Sequence, residues 1–149
     1  GTMAGLLAGL RLAGLKTKVV GVLVSESLVT HPQSVAKLAS KTATLVQSHS
    51  HLSFTPEDVL ILNQYLGNGY GHPTPESQHT LTLLQQTEGI KLDPTYTSKA
   101  MTAMIDFAQQ PQNAGKNILF MNTFNSHDLS KEAATISPQQ LPQEFQQFF

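Results

Sequence analysis

An α/β architecture with a mostly parallel sheet is the fold class this sequence predicts, and three observations carry the prediction. Stretches with apolar residues at helical spacing alternate along the chain with short apolar runs. One of those runs, Lys18 to Val24, is valine-rich, the composition of a strand buried on both faces. Glycine and proline punctuate the segments, so each element has its own start and stop.

Taken in order, Met3 to Ala13 predicts a helix with Leu6, Leu7 and Leu10 on one face, and Gly5 and Gly9 forming a small-residue groove for close packing. Gly14 ends it, and the valine-rich strand follows. After Thr30-His31-Pro32, Gln33 to Gln47 reads as an amphipathic helix with Val35, Leu38, Thr42, Leu45 and Val46 as its apolar stripe, and Lys37 and Lys41 opposite. Ser48 to Thr55 is a polar connection, and Thr55-Pro56-Glu57-Asp58 opens a short turn before the second apolar run, Val59 to Leu62. Gly67-Asn68-Gly69-Tyr70-Gly71-His72-Pro73 is too glycine-rich for regular structure and displays its tyrosine. Thr74-Pro75-Glu76 supplies a cap, a first-turn proline and an acidic residue for a helix running to about Glu88 and stopping at Gly89.

Next comes Leu92-Asp93-Pro94-Thr95-Tyr96-Thr97-Ser98-Lys99-Ala100. Pro94 fixes its own φ and keeps Asp93 out of the helical region, so the backbone turns ahead of Tyr96. Thr97 or Ser98 can then cap a helix whose apolar positions are Ala100, Met101, Met104 and Ile105, reaching about Gln109. Asn113-Ala114-Gly115-Lys116 turns the chain into a third strand candidate, Asn117 to Asn122. Residues 126 to 149 form a Pro/Gln-rich tail of loop or weak order with an apolar end, Phe145, Phe148 and Phe149.

Composition excludes several functions. A net charge of -1 with no run of Lys or Arg leaves no electrostatic footprint for nucleic acid or an acidic membrane. The absence of cysteine removes disulfides, thiolate nucleophiles and Cys-type zinc sites, and is compatible with a cytoplasmic location. The longest apolar run, Val19 to Val24, is far shorter than the roughly 20 residues a membrane-crossing helix needs. His49 and His51 form an H-x-H pair, but with His31, His72, His79 and His127 scattered no metal site is expected. The glycines at 67 to 71 are no dinucleotide fingerprint, and no nucleophile-elbow motif exists.

What remains is a set of hydroxyls and phenols: Thr2 at a helix start, Tyr70 in the glycine loop, Tyr96 and Thr97 at another helix start, and Thr123 at the end of the third strand. In open α/β sheets ligands lie beyond the carboxyl ends of strands, where such loops gather. The Gly1-Thr2 helix start suits a phosphorylated ligand. On the residues alone, Tyr96 also reads as a packing tyrosine beside a capped helix.

Four motifs carry a resemblance: GT-x-AGL-x-x-GL at residues 1 to 10, GYG-x-PT at 69 to 74, EGI-x-LDP-x-YT-x-KA at 88 to 100 and ILF-x-NT at 118 to 123. Their order and spacing resemble the C-terminal half of the pyridoxal-phosphate enzymes of the 1-aminocyclopropane-1-carboxylate (ACC) deaminase and D-cysteine desulfhydrase family. Residues 1 to 125 would be the C-terminal portion of the large domain in a fold type II enzyme, similar to the tryptophan synthase β-subunit, with a three-layer αβα arrangement. Because the chain enters a helix at once, it reads as cut at an internal point of a longer protein.

The resemblance implies pyridoxal 5'-phosphate as cofactor and a small amino acid as substrate. Gly1 and Thr2 would touch the cofactor phosphate, Tyr70 and Tyr96 would be the two active-site tyrosines, and Thr97 and Thr123 would lie near the pyridine nitrogen. Deaminases carry a glutamate where this chain has Thr97, and desulfhydrase-like members carry threonine. A neutral hydroxyl there makes the ring a weaker electron sink, which favours β-elimination from a D-amino acid such as D-cysteine, giving pyruvate, ammonia and sulfide. The family's histidine-threonine-glycine-glycine run is replaced by Asn122-Thr123-Phe124-Asn125. The family's Schiff-base lysine belongs to its N-terminal half, and Lys99 reads as structural or surface, so this chain alone is expected to be inactive. Expected partners are the N-terminal half of the same enzyme and a second copy in a homodimer. The alternative is a non-catalytic α/β module that binds a phosphorylated small molecule or a partner chain.

Overall fold

The computed structural model describes residues 1–26, 30–47, 51–125 and 127–146. His49 of the H-x-H pair and the terminal Phe148 and Phe149 lie outside the described residues. The elements run α1 (Thr2–Leu12), β1 (Val20–Val22), α2 (Pro32–Val46), a 3-10 turn (Pro56–Asp58), β2 (Leu60–Leu62), α3 (Pro75–Thr87), α4 (Thr97–Gln109), a second 3-10 turn (Pro111–Asn113), α5 (Ser130–Ala133), a third 3-10 turn (Pro138–Gln140) and α6 (Gln143–Gln146). This is an α/β chain, and its strands are parallel, with Val20 opposite Leu60, Gly21 opposite Ile61 and Val22 opposite Leu62.

Local chemistry sets the boundaries. Gly14 takes φ 69° beyond α1, and Gly89 takes φ 66° beyond α3. His31 caps α2 by accepting the Ser34 N–H on its ring, with Pro32 in the first turn. Thr74 caps α3 in a reciprocal box with Ser77, whose hydroxyl receives the Thr74 N–H at 2.9 Å.

One core joins α1 and α2 with the chain ahead of β2: Ala4, Leu7, Ala8, Val35, Ala36, Ala39, Ala43, Phe54 and Val59, with Ile61 of β2 packed against it. Its composition corrects the expected helix faces. In α1 the closely packed small residues are Ala4 and Ala8, while Gly5 and Gly9 are exposed with nothing near an added Cβ. In α2 the buried stripe is Val35, Ala36, Ala39 and Ala43, and Leu38, Leu45 and Val46 face outward at 44, 86 and 70 % exposure. Alanine faces let two helix backbones approach closely, so the pair chose small side chains over the leucines that periodicity alone favours.

The strands also differ from expectation. Only Val20–Val22 of the valine run is laddered, and both strands are half-buried, with Leu60 at 46 % exposure. Asn117 to Asn122 forms no strand; Leu119 is 82 % exposed and Met121 51 %. An apolar run becomes a strand only when a neighbour supplies ladder partners, and among the described residues none does so here. The tail forms short helical turns tied mainly to one another, as where Gln146 Nε2 donates to the carbonyls of Gln139 and Leu141.

α1 runs opposite to the strands. Near its start, the Met3 sulfur would lie 2.6 Å from a Cβ added at Gly21. Near its end, Arg11 pairs at 2.8 Å with Asp58, just ahead of β2. The N-terminus of α1 therefore points toward the carboxyl ends of both strands.

Candidate active site

The loops after β1 and β2 meet at that carboxyl edge. The bend after β1 delivers Glu26, whose carboxylate accepts the Tyr70 N–H at 3.3 Å. Tyr70 stands in the glycine loop after β2, where Gly67, Gly69 and Gly71 all take positive φ, at 64°, 116° and 77°. This backbone is open to glycine and costly for other residues, which explains the composition of the stretch.

Tyr96 comes from the start of α4, and here the structure corrects the expected cap. Neither Thr97 nor Ser98 caps the helix. The N-cap residue is Tyr96, whose side chain makes no cap bond, and Asp93 holds the turn ahead of it, its carboxylate accepting the N–H groups of Thr95 at 2.9 Å, Tyr96 at 2.6 Å and Thr97, the first helical residue, at 3.0 Å, and the Thr97 hydroxyl at 2.6 Å. A carboxylate satisfies several orphan donors at a positive helix end, which a single hydroxyl cannot. Burial pushes the Asp93 carboxyl up, but the Thr97 hydroxyl and the N–H groups of Tyr96, Thr97 and Thr95 outweigh it, and the net shift is downward.

With both loops fixed, the hydroxyls of Tyr70 and Tyr96 hydrogen-bond to each other, and the rings cross edge to face at 70° with centroids 5.8 Å apart. Both side chains keep about half their surface open, at 51 and 45 % exposure. The hydrogen bond to Tyr70 raises the Tyr96 pKa, with partial burial and the charges of Tyr70 and Asp93 adding to it. Such a pair holds a proton between two phenols at an accessible mouth.

Beneath it lies Lys99, which sequence reasoning left as structural or surface. Its side chain is fully buried and donates to the carbonyls of Leu66 at 2.7 Å and Gly69 at 3.3 Å, and burial lowers its pKa. Glu26 was missed altogether, since a lone acidic residue after an apolar run carries no sequence signal.

The other predicted residues are placed differently. Gly1 is the N-cap residue of α1, no side chain caps that helix, and Gly1 and Thr2 are exposed at the carboxyl edge. The Thr97 side chain is turned into the Asp93 turn, giving its hydrogen to the carboxylate and receiving the Asp93 N–H at 2.7 Å. Thr123 is exposed on the segment without ladder partners. Among the described residues no hydrogen bond or ring contact joins Gly1, Thr2 or Thr123 to the tyrosine pair. No group of three His, Asp or Glu side chains that could hold a metal exists among the described residues. An open cleft of about 570 Å³ lies at the opposite edge of the sheet between Leu7, Arg11, Leu15, Lys16 and Leu60, away from every predicted site residue.

No family model matches the chain. Individual proteins do. It is 35 % identical over 124 residues to a D-cysteine desulfhydrase of Klebsiella pneumoniae (strain 342), covering 83 % of this chain and 36 % of that protein. It is 35 % identical over 120 residues to a 1-aminocyclopropane-1-carboxylate deaminase of Mesorhizobium japonicum, covering 80 % of this chain and 35 % of that protein. The crystal structure of an ACC deaminase homologue superposes with a TM-score of 0.64 at 28 % identity, over 82 % of this chain and 35 % of that one. The chain thus spans about a third of the length of the relatives it matches. The resemblance read from the four motifs is met in both sequence and fold.

Proposed function

We propose, from the kinship of this chain with the D-cysteine desulfhydrase and ACC deaminase family, that it is the C-terminal, large-domain portion of a pyridoxal-phosphate-dependent enzyme. The substrate is a small amino acid: D-cysteine, released as pyruvate, ammonia and sulfide, or 1-aminocyclopropane-1-carboxylate, released with water as ammonia and a 2-oxo acid. The observation that carries this reading is the tyrosine pair at the carboxyl edge, assembled from the GYG-x-PT and LDP-x-YT-x-KA motifs.

The residues present fit the cofactor at its phosphate end. The α1 start faces the carboxyl edge with backbone donors that no side chain caps, the kind of helix end that takes an anion. Gly1 and Thr2 would hold the phosphate there. The cofactor, when bound, supplies the electron sink for bond cleavage beside the substrate α-carbon. Tyr70 and Tyr96 would orient the substrate and hold or return a proton at their hydroxyl oxygens. Thr123 would offer its hydroxyl to the ring nitrogen. Thr97, whose hydrogen is committed to Asp93, would act mainly by fixing the turn that carries Tyr96.

The chain by itself is proposed to be inactive, the cofactor-linking lysine being supplied by the N-terminal portion of the enzyme. The outward leucines of α2 would meet that portion or a second copy. Among the described residues no helix is long and apolar enough to cross a membrane. A cytoplasmic location is part of the proposal and is supported by composition alone, a chain without cysteine being compatible with a reducing compartment. A second reading, a non-catalytic module binding a phosphorylated small molecule or a partner chain, draws on the exposure of Thr123 on an unladdered segment.

The test is Tyr96→Phe in the full-length gene product. Turnover of D-cysteine or ACC should fall at least tenfold while the melting temperature stays near that of the parent. Full-length protein that neither binds pyridoxal phosphate nor turns over either amino acid would leave the second reading standing.

A further inference from the structure

We propose that Lys99 is a positioning residue for the tyrosine pair: tied to the Leu66 and Gly69 carbonyls, it sets the glycine loop where the Tyr70 hydroxyl meets that of Tyr96. Its meaning for catalysis rests on the function proposed above; the geometry does not.

Three observations carry the inference. The first is that Lys99 is the one charged side chain among the described residues that is fully buried, and none of the ion pairs there involves it. A buried ammonium without a carboxylate is unfavourable, and an apolar residue of similar volume would serve packing better. The charge therefore answers to what it holds, and what it holds is two main-chain carbonyls of one loop.

The second is the nature of that loop. Between Leu66 and His72 three glycines sit at positive φ, with no strand ladder and, among the described residues, one long turn bond from the His72 N–H to the Gly69 carbonyl at 3.4 Å, so the backbone keeps wide freedom unless something outside fixes it. Lys99 fixes it from the α4 side at residues 66 and 69, and Glu26 fixes it from the β1 side at the Tyr70 N–H. Tyr70 lies directly after one carbonyl that Lys99 holds.

The third is the common origin of the restraints. Tyr96 and Lys99 flank the first turn of α4, and the Ala100 N–H bonds back to the Tyr96 carbonyl at 3.1 Å. The Asp93 turn that orients Tyr96 thus also orients the base of Lys99. One helix start sets both members of the pair, one directly and the other through four methylenes and an ammonium.

The experiment uses this chain labelled with 13C at the tyrosine ζ position, its three tyrosines assigned by single Tyr→Phe variants. In the wild type the Tyr96 resonance is expected to titrate above the ordinary tyrosine range, and Tyr70→Phe is expected to bring it down by removing the partner. Lys99→Met, which keeps the apolar stem, is expected to bring it down as Tyr70→Phe does, with helical circular dichroism unchanged. Because the chain has no cysteine, Lys99→Cys can be alkylated selectively with 2-bromoethylamine in urea and refolded, rebuilding an ammonium at lysine length. The adduct should regain the wild-type Tyr96 titration. A Lys99→Met protein whose Tyr96 titrates as in the wild type overturns the proposal. So does loss of the helical signal in both the Met and the Cys variants, which makes Lys99 a residue of the fold at large. An enzyme indifferent to Tyr96→Phe would sink the proposed function while leaving the Lys99 result standing.

Discussion

Tyr70 and Tyr96, 26 positions apart in sequence, share a hydrogen bond between their hydroxyls at the carboxyl edge of the sheet. Each phenol is half in water, so removing one hydroxyl leaves the other solvated rather than orphaned. Tyr70→Phe and Tyr96→Phe should each change stability by no more than about 1 kcal/mol, checked by urea unfolding.

Asp93 is expected to matter more. Asp93→Ala leaves the N–H groups of Thr95, Tyr96 and Thr97 without their acceptor and should cost about 2 kcal/mol at neutral pH. Its folded pKa is depressed, so the stabilisation is complete above the unfolded value of about 4 and is lost as pH falls through the lower folded value. The stability gap between wild type and Asp93→Asn, measured by melting from pH 7 downward, should therefore hold steady to about pH 4 and then close.

Two glycines of one loop give an internal comparison. An alanine at Gly67 would take φ 64° and set its Cβ 2.5 Å from the Thr74 methyl, on the residue that caps α3. At Gly71 the φ of 77° is as unfavourable, but nothing lies within 4 Å. Gly71→Ala should cost about 1 to 2 kcal/mol from backbone strain alone. Gly67→Ala should cost more, and calorimetry of the pair reads the difference as the steric contribution.

α3 and α4 meet at a buried polar contact. The Thr102 hydroxyl lies 2.9 Å from that of Thr80 and 2.9 Å from the Ser98 carbonyl, to which it can also donate. Thr102→Val should destabilise by about 1 to 3 kcal/mol, because it leaves the Thr80 hydroxyl buried and unpaired. Thr80→Val combined with it should cost less than the sum of the two single changes in a double-mutant cycle.

Helix positions were legible in the sequence because their signals are local: Thr74-Pro75, Gly14 and Gly89 each act through their own backbone. The register of burial was not. Leu38, Leu45 and Val46 look like a core stripe, yet the partner helix offers Ala4 and Ala8, and close approach selects Ala36, Ala39 and Ala43. Asn117 to Asn122 shows the same limit, since strand formation needs a neighbour that periodicity cannot report. At the site, the motifs pointed to Tyr70 and Tyr96, and their meeting required the fold. Asp93 was visible only as the residue before a proline, and Lys99 as one more lysine. Their importance comes from contacts across 4 and 33 positions.

The two-stranded sheet has a consequence for handling the protein. In the order β1-β2 each strand keeps one flank whose main-chain groups find no ladder partner among the described residues. Open flanks template the addition of further strands and, with them, aggregation. Here each flank is only three residues long, about 10 Å at the usual rise, and offers a newcomer few hydrogen bonds. The brevity that makes the sheet a small part of the fold also makes it a poor seed for intermolecular β-structure.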